Sequence, residues 1–244
     1  MKKKKVISDL SKSFFKDKKV FVRVDFNVPI NGRTNSIRED YRIRRTIPTI
    51  DYLLDCGAKV VLGSHLGRPK GKSVSSLSLK IVSDRLSELL DKEVTFCTDF
   101  IGEKLAEKID FLPSGSVIML ENLRFHKEET ENDPQFSQHL ADLADIYVNE
   151  AFGTSHRTHS STYGMALHFD TRLSGFLVDK ELKFISKMME EPEHPFLVII
   201  GGCQLGSFLC AAAKKINIQT VIFSDDIDAP AQNFTDEFIF GSYD

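Results

Sequence analysis

The chain has 244 residues, of which 41% are hydrophobic and 27% are charged, and its formal net charge at pH 7 is −3. This composition is typical of a globular protein rather than a disordered or membrane-embedded one. The slight negative charge argues against a nucleic-acid partner, because nucleic-acid-binding domains usually carry a clear basic excess. No apolar run approaches the roughly 20 residues needed to cross a bilayer, so we expect no membrane partner either.

The amino terminus and the cysteines indicate a cytoplasmic protein without a metal site. Residues 2–5 are lysines, but no apolar run of signal-peptide length follows them. The cysteines show neither CxxC pairing nor zinc-ligand spacing with histidine, which predicts buried free thiols. They are Cys56, Cys97, Cys203 and Cys210.

Short β-rich runs alternate with helical patterns from residue 18 onward, which predicts a Rossmann-like α/β fold, a parallel sheet with helices on both faces. The lengths of these runs, four to six residues, suit buried strands. The predicted strands are residues 19–24, 59–62, 93–97, 116–120 and 146–149.

Apolar residues at helical spacing predict two helices that cover the sheet. These residues are Ile43, Ile47, Ile50 and Leu54 in the first helix, and Leu79, Val82, Leu86 and Leu89 in the second. Pro48 predicts a late start or a kink in the first helix. Asp133 followed by Pro134 predicts the capped start of a third helix.

The pattern changes after residue 172 and predicts three segments: a first domain of residues 1–172, a connecting helix of residues 173–194 and a short α/β segment of residues 195–244. Residues 173–190 have a helical pattern, and the sequence EPEHP at residues 191–195 breaks it. The last segment predicts two strands and one helix, which is too little for an independent core.

Polar and basic loops follow the predicted strands, where ligands bind in parallel α/β sheets. These loops and the start of the first helix carry Asp25, Asn27, Arg42, His65, Arg68, Arg124 and Arg157. Each of these residues alone could be an ordinary loop residue: a solvated arginine, a structural histidine or a side chain that caps a turn. Four arginines at one edge would repel one another unless an anion belongs there, and the guanidinium group suits phosphate and carboxylate. The residues therefore predict a site for a small polyanion.

Five ordered motifs make the prediction more specific. The segments VRVDFNVP, DYRIRRTIPTI, SHLGRP, ENLRFH and AFGTSHRTH follow one another along the chain. This series resembles the substrate-domain motifs of the phosphoglycerate kinase family, and the similarity extends from about residue 5 to residue 202. The resemblance implies phosphoryl transfer between 1,3-bisphosphoglycerate and ADP, a glycolytic reaction, with 3-phosphoglycerate as the ligand of this domain.

The resemblance also implies a role for each residue of the predicted site. Asp25 and Asn27 would hold the hydroxy-acid part of 3-phosphoglycerate, and its anionic end would meet His65, Arg68, Arg124 and Arg157. Arg42 resembles the catalytic arginine, which stabilises charge on the phosphoryl group in transfer. Glu150 stands where the family motif usually has aspartate. We expect little effect of this difference on the pocket.

The last segment departs from the family more seriously. The family sequence GGAKVxDK carries lysines that serve the nucleotide, whereas Gln204 and Phe208 occupy those positions here. The family's GGGDT loop has no match before residue 244. Residues 195–244 are therefore interpreted as a truncated remnant of the nucleotide-binding domain, without an intact nucleotide or metal site. The Mg-ADP or Mg-ATP that the family uses is not expected as a cofactor of this chain alone.

Two further patterns predict little. Residues 67–73, GRPKGKS, end like a phosphate-binding loop, but only three residues separate the glycines where that motif needs four. His156 and His159 could face one metal ion from a helix, yet Arg157 lies between them and its charge disfavours a cation.

Three hypotheses of function remain open. The chain could be the acceptor half of a split kinase whose nucleotide domain comes from a protein partner. It could be a non-catalytic relative that senses or sequesters 3-phosphoglycerate or binds another protein, or a gene product without a selected role. The arginines favour ligand binding, and Gln204 and Phe208 argue against transfer. We therefore predict a 3-phosphoglycerate-binding protein that is not catalytic alone.

Overall fold

The structure is a computed structural model, and it describes residues 5–98, 103–190, 196–202 and 204–241. The chain divides into two compact units, Met1–Leu182 and Lys183–Asp244. The division falls inside the helix that the sequence predicts as a connection between domains.

Six strands of the first unit form a parallel sheet, as predicted from the alternating pattern. The described strands of this unit are β1 Lys19–Val24, β2 Ile30–Asn31, β3 Ser36–Ile37, β4 Lys59–Gly63, β5 Val94–Cys97, β6 Val117–Leu120, β7 Ile146–Glu150 and β8 Arg172–Ser174. The order in the sheet is β5-β6-β4-β1-β7-β8, and every neighbouring pair is parallel. The five predicted strands are confirmed to within one residue at each end, and β2 and β3 form a separate antiparallel pair.

Helices lie between the strands in chain order. They are α1 Lys12–Phe15, α2 Tyr41–Asp55, α3 Lys80–Leu90, α4 Glu103–Asp110, α5 Lys127–Glu131, α6 Pro134–Ala141 and α7 Phe176–Glu190. The predicted cap of α6 is confirmed, since the Asp133 carboxylate accepts from the Phe136 amide at 2.8 Å. The predicted late start of α2 is wrong. Pro48 lies on the exposed side of this helix and has no amide to donate to the Arg44 carbonyl, which can bind water there instead.

Two apolar clusters hold helices against opposite faces of the sheet. Val20 and Val22 of β1 belong to one cluster with residues of α2 and α3, whereas Phe21 belongs to the other with residues of α4 and α6. Successive side chains of a strand point to opposite faces, so burial on both faces explains why these strands are continuous apolar runs. The predicted fold class is confirmed. Among the described helices, none has the length and hydropathy needed to cross a membrane.

The connecting helix begins three residues later than the sequence predicts. Leu173 and Ser174 pair with β7 in the edge strand β8, and α7 starts at Phe176. The predicted break at residues 191–195 and the thiol of Cys203 lie outside the described residues. The other cysteines, Cys56, Cys97 and Cys210, are buried and free, as predicted.

The second unit contains a parallel three-stranded sheet. Its elements are β9 Phe196–Ile200, α8 Gln204–Lys215, β10 Gln219–Ser224 and β11 Glu237–Phe240, with strand order β11-β10-β9. Ile199, Cys210, Ile222 and Ala231 form a small buried cluster between sheet and helix. The sequence predicts two of these strands and the helix, and it misses β11.

Candidate anion-binding site

The predicted site residues lie where the strands β1, β4, β6 and β7 end. Asp25 follows β1 directly, and its Oδ2 atom accepts a hydrogen bond from Arg42 Nη1 of α2 at 2.7 Å. The other carboxylate oxygen accepts from the Asn27 amide at 3.3 Å. Both side chains of the Asp25–Arg42 pair are about four-fifths buried, at 20% and 21% exposure. This pair fixes Arg42 at the amino end of α2.

Asn27 connects the first loop to the second. Its Oδ1 atom accepts from the Gly67 amide at 2.8 Å, and the Gly67 carbonyl accepts from Arg124 Nη1 at 2.9 Å. Gly67 has φ +63°, and a side chain there would collide with Leu77. A glycine is therefore required at the point where the loops after β1, β4 and β6 meet.

Asn122 is a structural residue of the site that sequence reasoning did not single out. Its Oδ1 atom accepts from the Leu66 and Arg124 amides at 3.2 and 3.1 Å. Its Nδ2 atom donates to the Leu66 and Leu77 carbonyls at 2.7 and 2.9 Å. Its position within the motif ENLRFH, directly after a predicted strand, was the sequence signal that could have identified Asn122. This fully buried amide holds the loops that carry His65 and Arg124 together.

Arg124 is a buried cation without a full set of partners. The residue is only 8% exposed, and its Nε atom has no hydrogen-bond partner within the described part of the chain. Burial and the neighbouring cations Arg157 and Arg23 lower the pKa of Arg124 to about 10. A buried guanidinium group is costly when unpaired, so this arrangement favours a bound anion.

His65 is a buried, neutral imidazole. Its Nδ1 atom lies 3.3 Å from Arg23 Nη2 and 4.0 Å from Asp25 Oδ1. Burial lowers the pKa of His65 far below its usual value, and the charges of Arg23, Arg124 and Arg157 lower it further. His65 therefore contributes hydrogen bonding rather than charge to the site near neutral pH.

A second group of buried polar residues lies behind the predicted site. Arg23 and Glu129 are fully buried, and Ser161 bonds to both of them. His159 Nδ1 lies 3.9 Å from Glu129 Oε1. Burial lowers the pKa of His159 to about 4, and the charge of Arg124 is the next largest cause. Sequence reasoning missed Arg23 and Glu129. The signal for Arg23 was a charged residue inside an otherwise apolar strand.

The structure brings the predicted arginines together only in part. Arg124 and Arg157 are close enough for their charges to interact, and both affect His65. Arg42 pairs with Asp25, while Arg68 and Arg157 have exposed side chains. Among the described residues, the guanidinium group of Arg68 has no hydrogen-bonding or ion-pair partner. The exposed arginines thus remain available to a ligand.

Glu150 points away from the arginines and toward the start of α7. The buried carboxylate accepts from Thr49 Oγ1 at 2.5 Å, from the Leu177 amide at 3.0 Å and from the Val178 amide at 3.4 Å. Thr49 Oγ1 accepts from the Phe176 amide at 2.9 Å. Glu150 therefore caps the first turn of α7 and joins it to α2.

Replacing Glu150 with glutamine is expected to remove part of the pH dependence of stability. Burial raises the pKa of Glu150, and its hydrogen bonds offset this only partly. The folded protein then binds this proton more tightly than the unfolded chain, so the contribution to stability is present at low pH and is lost as the pH rises through the raised pKa. Relative to Glu150→Gln, the wild type should lose free energy of unfolding as the pH rises from about 4, near the ordinary pKa of a glutamate, toward neutral pH.

Thermal unfolding across this pH range measures the effect. Glu131→Gln is the matched control, because Glu131 is exposed at the end of α5. Parallel stability curves for the wild type and Glu150→Gln would contradict the assignment of a raised pKa to Glu150.

The second unit presents a different set of groups at its glycine turn. Gln204 and Phe208, at the positions of the family's lysines, both lie in α8 and are exposed. Gly201, directly after β9, has φ +104°, which favours glycine. Across the described part of both units, no group of three or more potential metal ligands is found.

Comparison with known proteins identifies the family. Residues 7–216 match the family model of phosphoglycerate kinase. The chain belongs to the phosphoglycerate kinase family. It is 50% identical over 204 residues to phosphoglycerate kinase of Picosynechococcus sp. and 47% identical over 211 residues to the chloroplastic phosphoglycerate kinase of Volvox carteri. These matches cover 84% and 86% of this chain but 51% and 46% of the relatives. The chain thus spans about half the length of the curated phosphoglycerate kinases it matches.

Solved phosphoglycerate kinases share the fold. The structure from Coxiella burnetii is similar with a TM-score of 0.72 at 31% identity, and that from Pyrococcus horikoshii with 0.73 at 32%. Each comparison covers 90% of this chain. It covers 54% of the Coxiella burnetii chain and 55% of the Pyrococcus horikoshii chain.

The second unit also matches a different family model. Residues 196–244 match the ribonucleotide synthetase preATP-grasp domain. Both models include residues 196–216, and only the second continues through β10 and β11. This match offers an alternative to the interpretation of residues 195–244 as a remnant of a phosphoglycerate kinase nucleotide domain.

Proposed function

We propose that the first unit binds 3-phosphoglycerate at the ends of β1, β4, β6 and β7. The observation that carries this proposal is the buried Arg124 guanidinium, which has an unpartnered Nε atom and lies near two further arginines, Arg23 and Arg157. In addition, family membership makes a phosphorylated carboxylate the expected polyanion. Arg124, Arg157, Arg68 and His65 meet its anionic end in this proposal.

Asp25 and Asn27 take the hydroxy-acid part of the ligand. Because Asn27 Oδ1 already accepts from the Gly67 amide, its Nδ2 group is the part of the side chain left to donate to the ligand. Asp25 holds Arg42 through Oδ2. Arg42 is thereby positioned as the residue that would stabilise charge on a phosphoryl group in transfer.

The nucleotide that the family uses does not fit the residues at the start of α8. Phosphoryl transfer from a nucleotide requires cations at its phosphates, and Gln204 and Phe208 supply none. We therefore propose ligand binding alone, without phosphoryl transfer by this chain. An acceptor half completed by a partner's nucleotide domain is the alternative.

A cytoplasmic location stays a prediction.

Titration calorimetry with 3-phosphoglycerate tests the binding proposal. Saturable binding is expected, and it should weaken as the salt concentration rises, because both partners are charged. Glycerol serves as the matched uncharged compound and should not bind. An affinity for 3-phosphoglycerate that does not change with salt would contradict an arginine site.

The match of residues 196–244 supports a second candidate function for the second unit. We infer that the second unit is related to ribonucleotide synthetase preATP-grasp domains, because the family model of those domains continues through β10 and β11, whereas the phosphoglycerate kinase model ends at residue 216. Magnesium-ADP should produce no saturable NMR shifts between Gly201 and Phe208, because Gln204 and Phe208 supply no cation for its phosphates. Saturable shifts in the millimolar range or below would show a nucleotide site at this turn and contradict the prediction.

A further inference from the structure

A chain of buried hydrogen bonds lies behind His65 and ends at a carboxylate. Arg23 Nε donates to Ser161 Oγ at 2.7 Å. Ser161 Oγ donates in turn to Glu129 Oε1 at 2.5 Å, and the Ser161 amide donates to Glu129 Oε2 at 2.9 Å. All three residues are fully buried, so water does not compete for these bonds. Arg23 is thereby held in one orientation.

The other side of the Arg23 guanidinium group meets His65. Arg23 Nη2 lies 3.3 Å from His65 Nδ1. A guanidinium group has only donors, so Nδ1 must be the acceptor and cannot carry a proton. The proton of the neutral imidazole therefore lies on Nε2.

Among the described residues, Asp25 is the carboxylate near His65 Nδ1 that would favour the opposite tautomer. Its Oδ1 atom lies 4.0 Å from His65 Nδ1, beyond hydrogen-bonding distance, and its Oδ2 atom is paired with Arg42. The remaining charged neighbours, Arg124 and Arg157, are cations that disfavour a second proton on the ring. The Arg23 contact therefore decides the tautomer.

We propose that Arg23, oriented by Ser161 and Glu129, fixes His65 as a neutral imidazole protonated at Nε2, so that His65 meets a bound anion as a hydrogen-bond donor and not as a cation. Arg23, Ser161 and Glu129 are positioning residues in this scheme. The effect on affinity rests on the proposed 3-phosphoglycerate site. The tautomer itself is a property of the free protein and can be measured separately.

Nitrogen-15 NMR of the free wild-type protein measures the tautomer directly. A pyridine-type Nδ1 and a pyrrole-type Nε2 are expected for His65 from about pH 5 to pH 8, the range in which an ordinary histidine titrates. A protonated Nδ1 anywhere in this range would overturn the proposal, whether or not 3-phosphoglycerate binds.

Ser161→Ala tests the positioning chain, because it removes the hydroxyl group between Arg23 and Glu129. A mixture of His65 tautomers is expected, with 3-phosphoglycerate affinity lowered about threefold to tenfold, the range for one hydrogen bond. Ser160→Ala is the matched control, since Ser160 is equally buried in the same turn but donates to the Glu128 carbonyl at 2.8 Å.

The two variants separate the possible outcomes. Tautomer mixing in Ser161→Ala but not in Ser160→Ala supports the positioning chain. A wild-type tautomer in a folded Ser161→Ala protein would contradict it. If the wild type holds the Nε2 proton but fails to bind 3-phosphoglycerate, the tautomer assignment stands and the proposed function is wrong.

Discussion

Replacing Arg157 with alanine is expected to weaken 3-phosphoglycerate binding about thirtyfold, because one charge-assisted hydrogen bond contributes about 2 kcal/mol. Arg157 has an exposed side chain, while its backbone is fixed by a hydrogen bond from its amide to the Thr154 carbonyl at 2.9 Å. The substitution should therefore remove a ligand contact without disturbing the loop. Calorimetry with 3-phosphoglycerate measures the change in affinity.

Arg172→Ala is the matched control for this experiment. Arg172 is also exposed, but it begins β8 at the opposite, amino end of the parallel strands. Its removal lowers the net charge equally and should leave the affinity nearly unchanged. Equal losses in both variants would show a general effect of charge, and no loss in Arg157→Ala would place the ligand elsewhere.

The 244-residue chain is expected to show no phosphoglycerate kinase turnover in either direction. Arg42 can stabilise a migrating phosphoryl group only when donor and acceptor are held in line, since positioning supplies much of the rate enhancement. Gln204 and Phe208 provide no cation for a nucleotide phosphate, and residues 196–244 match a different family model. A coupled assay with 1,3-bisphosphoglycerate and magnesium-ADP measures turnover.

A complete phosphoglycerate kinase assayed in parallel is the positive control, and Arg42→Ala distinguishes intrinsic activity from a contaminant. Robust turnover by the pure chain that Arg42→Ala abolishes would contradict the binding-only proposal. Activity that Arg42→Ala leaves intact would point to a contaminating enzyme. Turnover only after addition of a separate nucleotide domain would favour the split-kinase alternative.

The strands of the first unit were predictable because a parallel strand buried on both faces is a continuous apolar run. β8 was missed since its three residues, RLS, adjoin a longer helical pattern, and pairing with β7 decides their conformation. β11 has only four residues, EFIF, and its pairing with β10 depends on tertiary contact. Short edge strands carry too little local pattern to be recognised.

The loop residues of the site were predictable because they stand in ordered motifs at strand ends. The supporting residues were not, because their partners are remote in sequence. Arg23 meets Ser161 across 138 positions, and Ser161 meets Glu129 across 32. No local pattern indicates that a strand arginine, a turn serine and a helix glutamate share one buried network. Their roles depend on the topology that brings β1 beside β7.

The position of β1 within the sheet has a consequence for folding kinetics. β1 is synthesised early, yet its neighbours are β4 and β7, with Val20 beside Val60 on one side and Ile146 on the other. Pairings this distant in sequence give a high contact order, which slows folding. During synthesis, the second edge of β1 can therefore be covered only after β7 has been made, when most of the first unit is complete. Until then β1 exposes an unpaired apolar edge, which can aggregate.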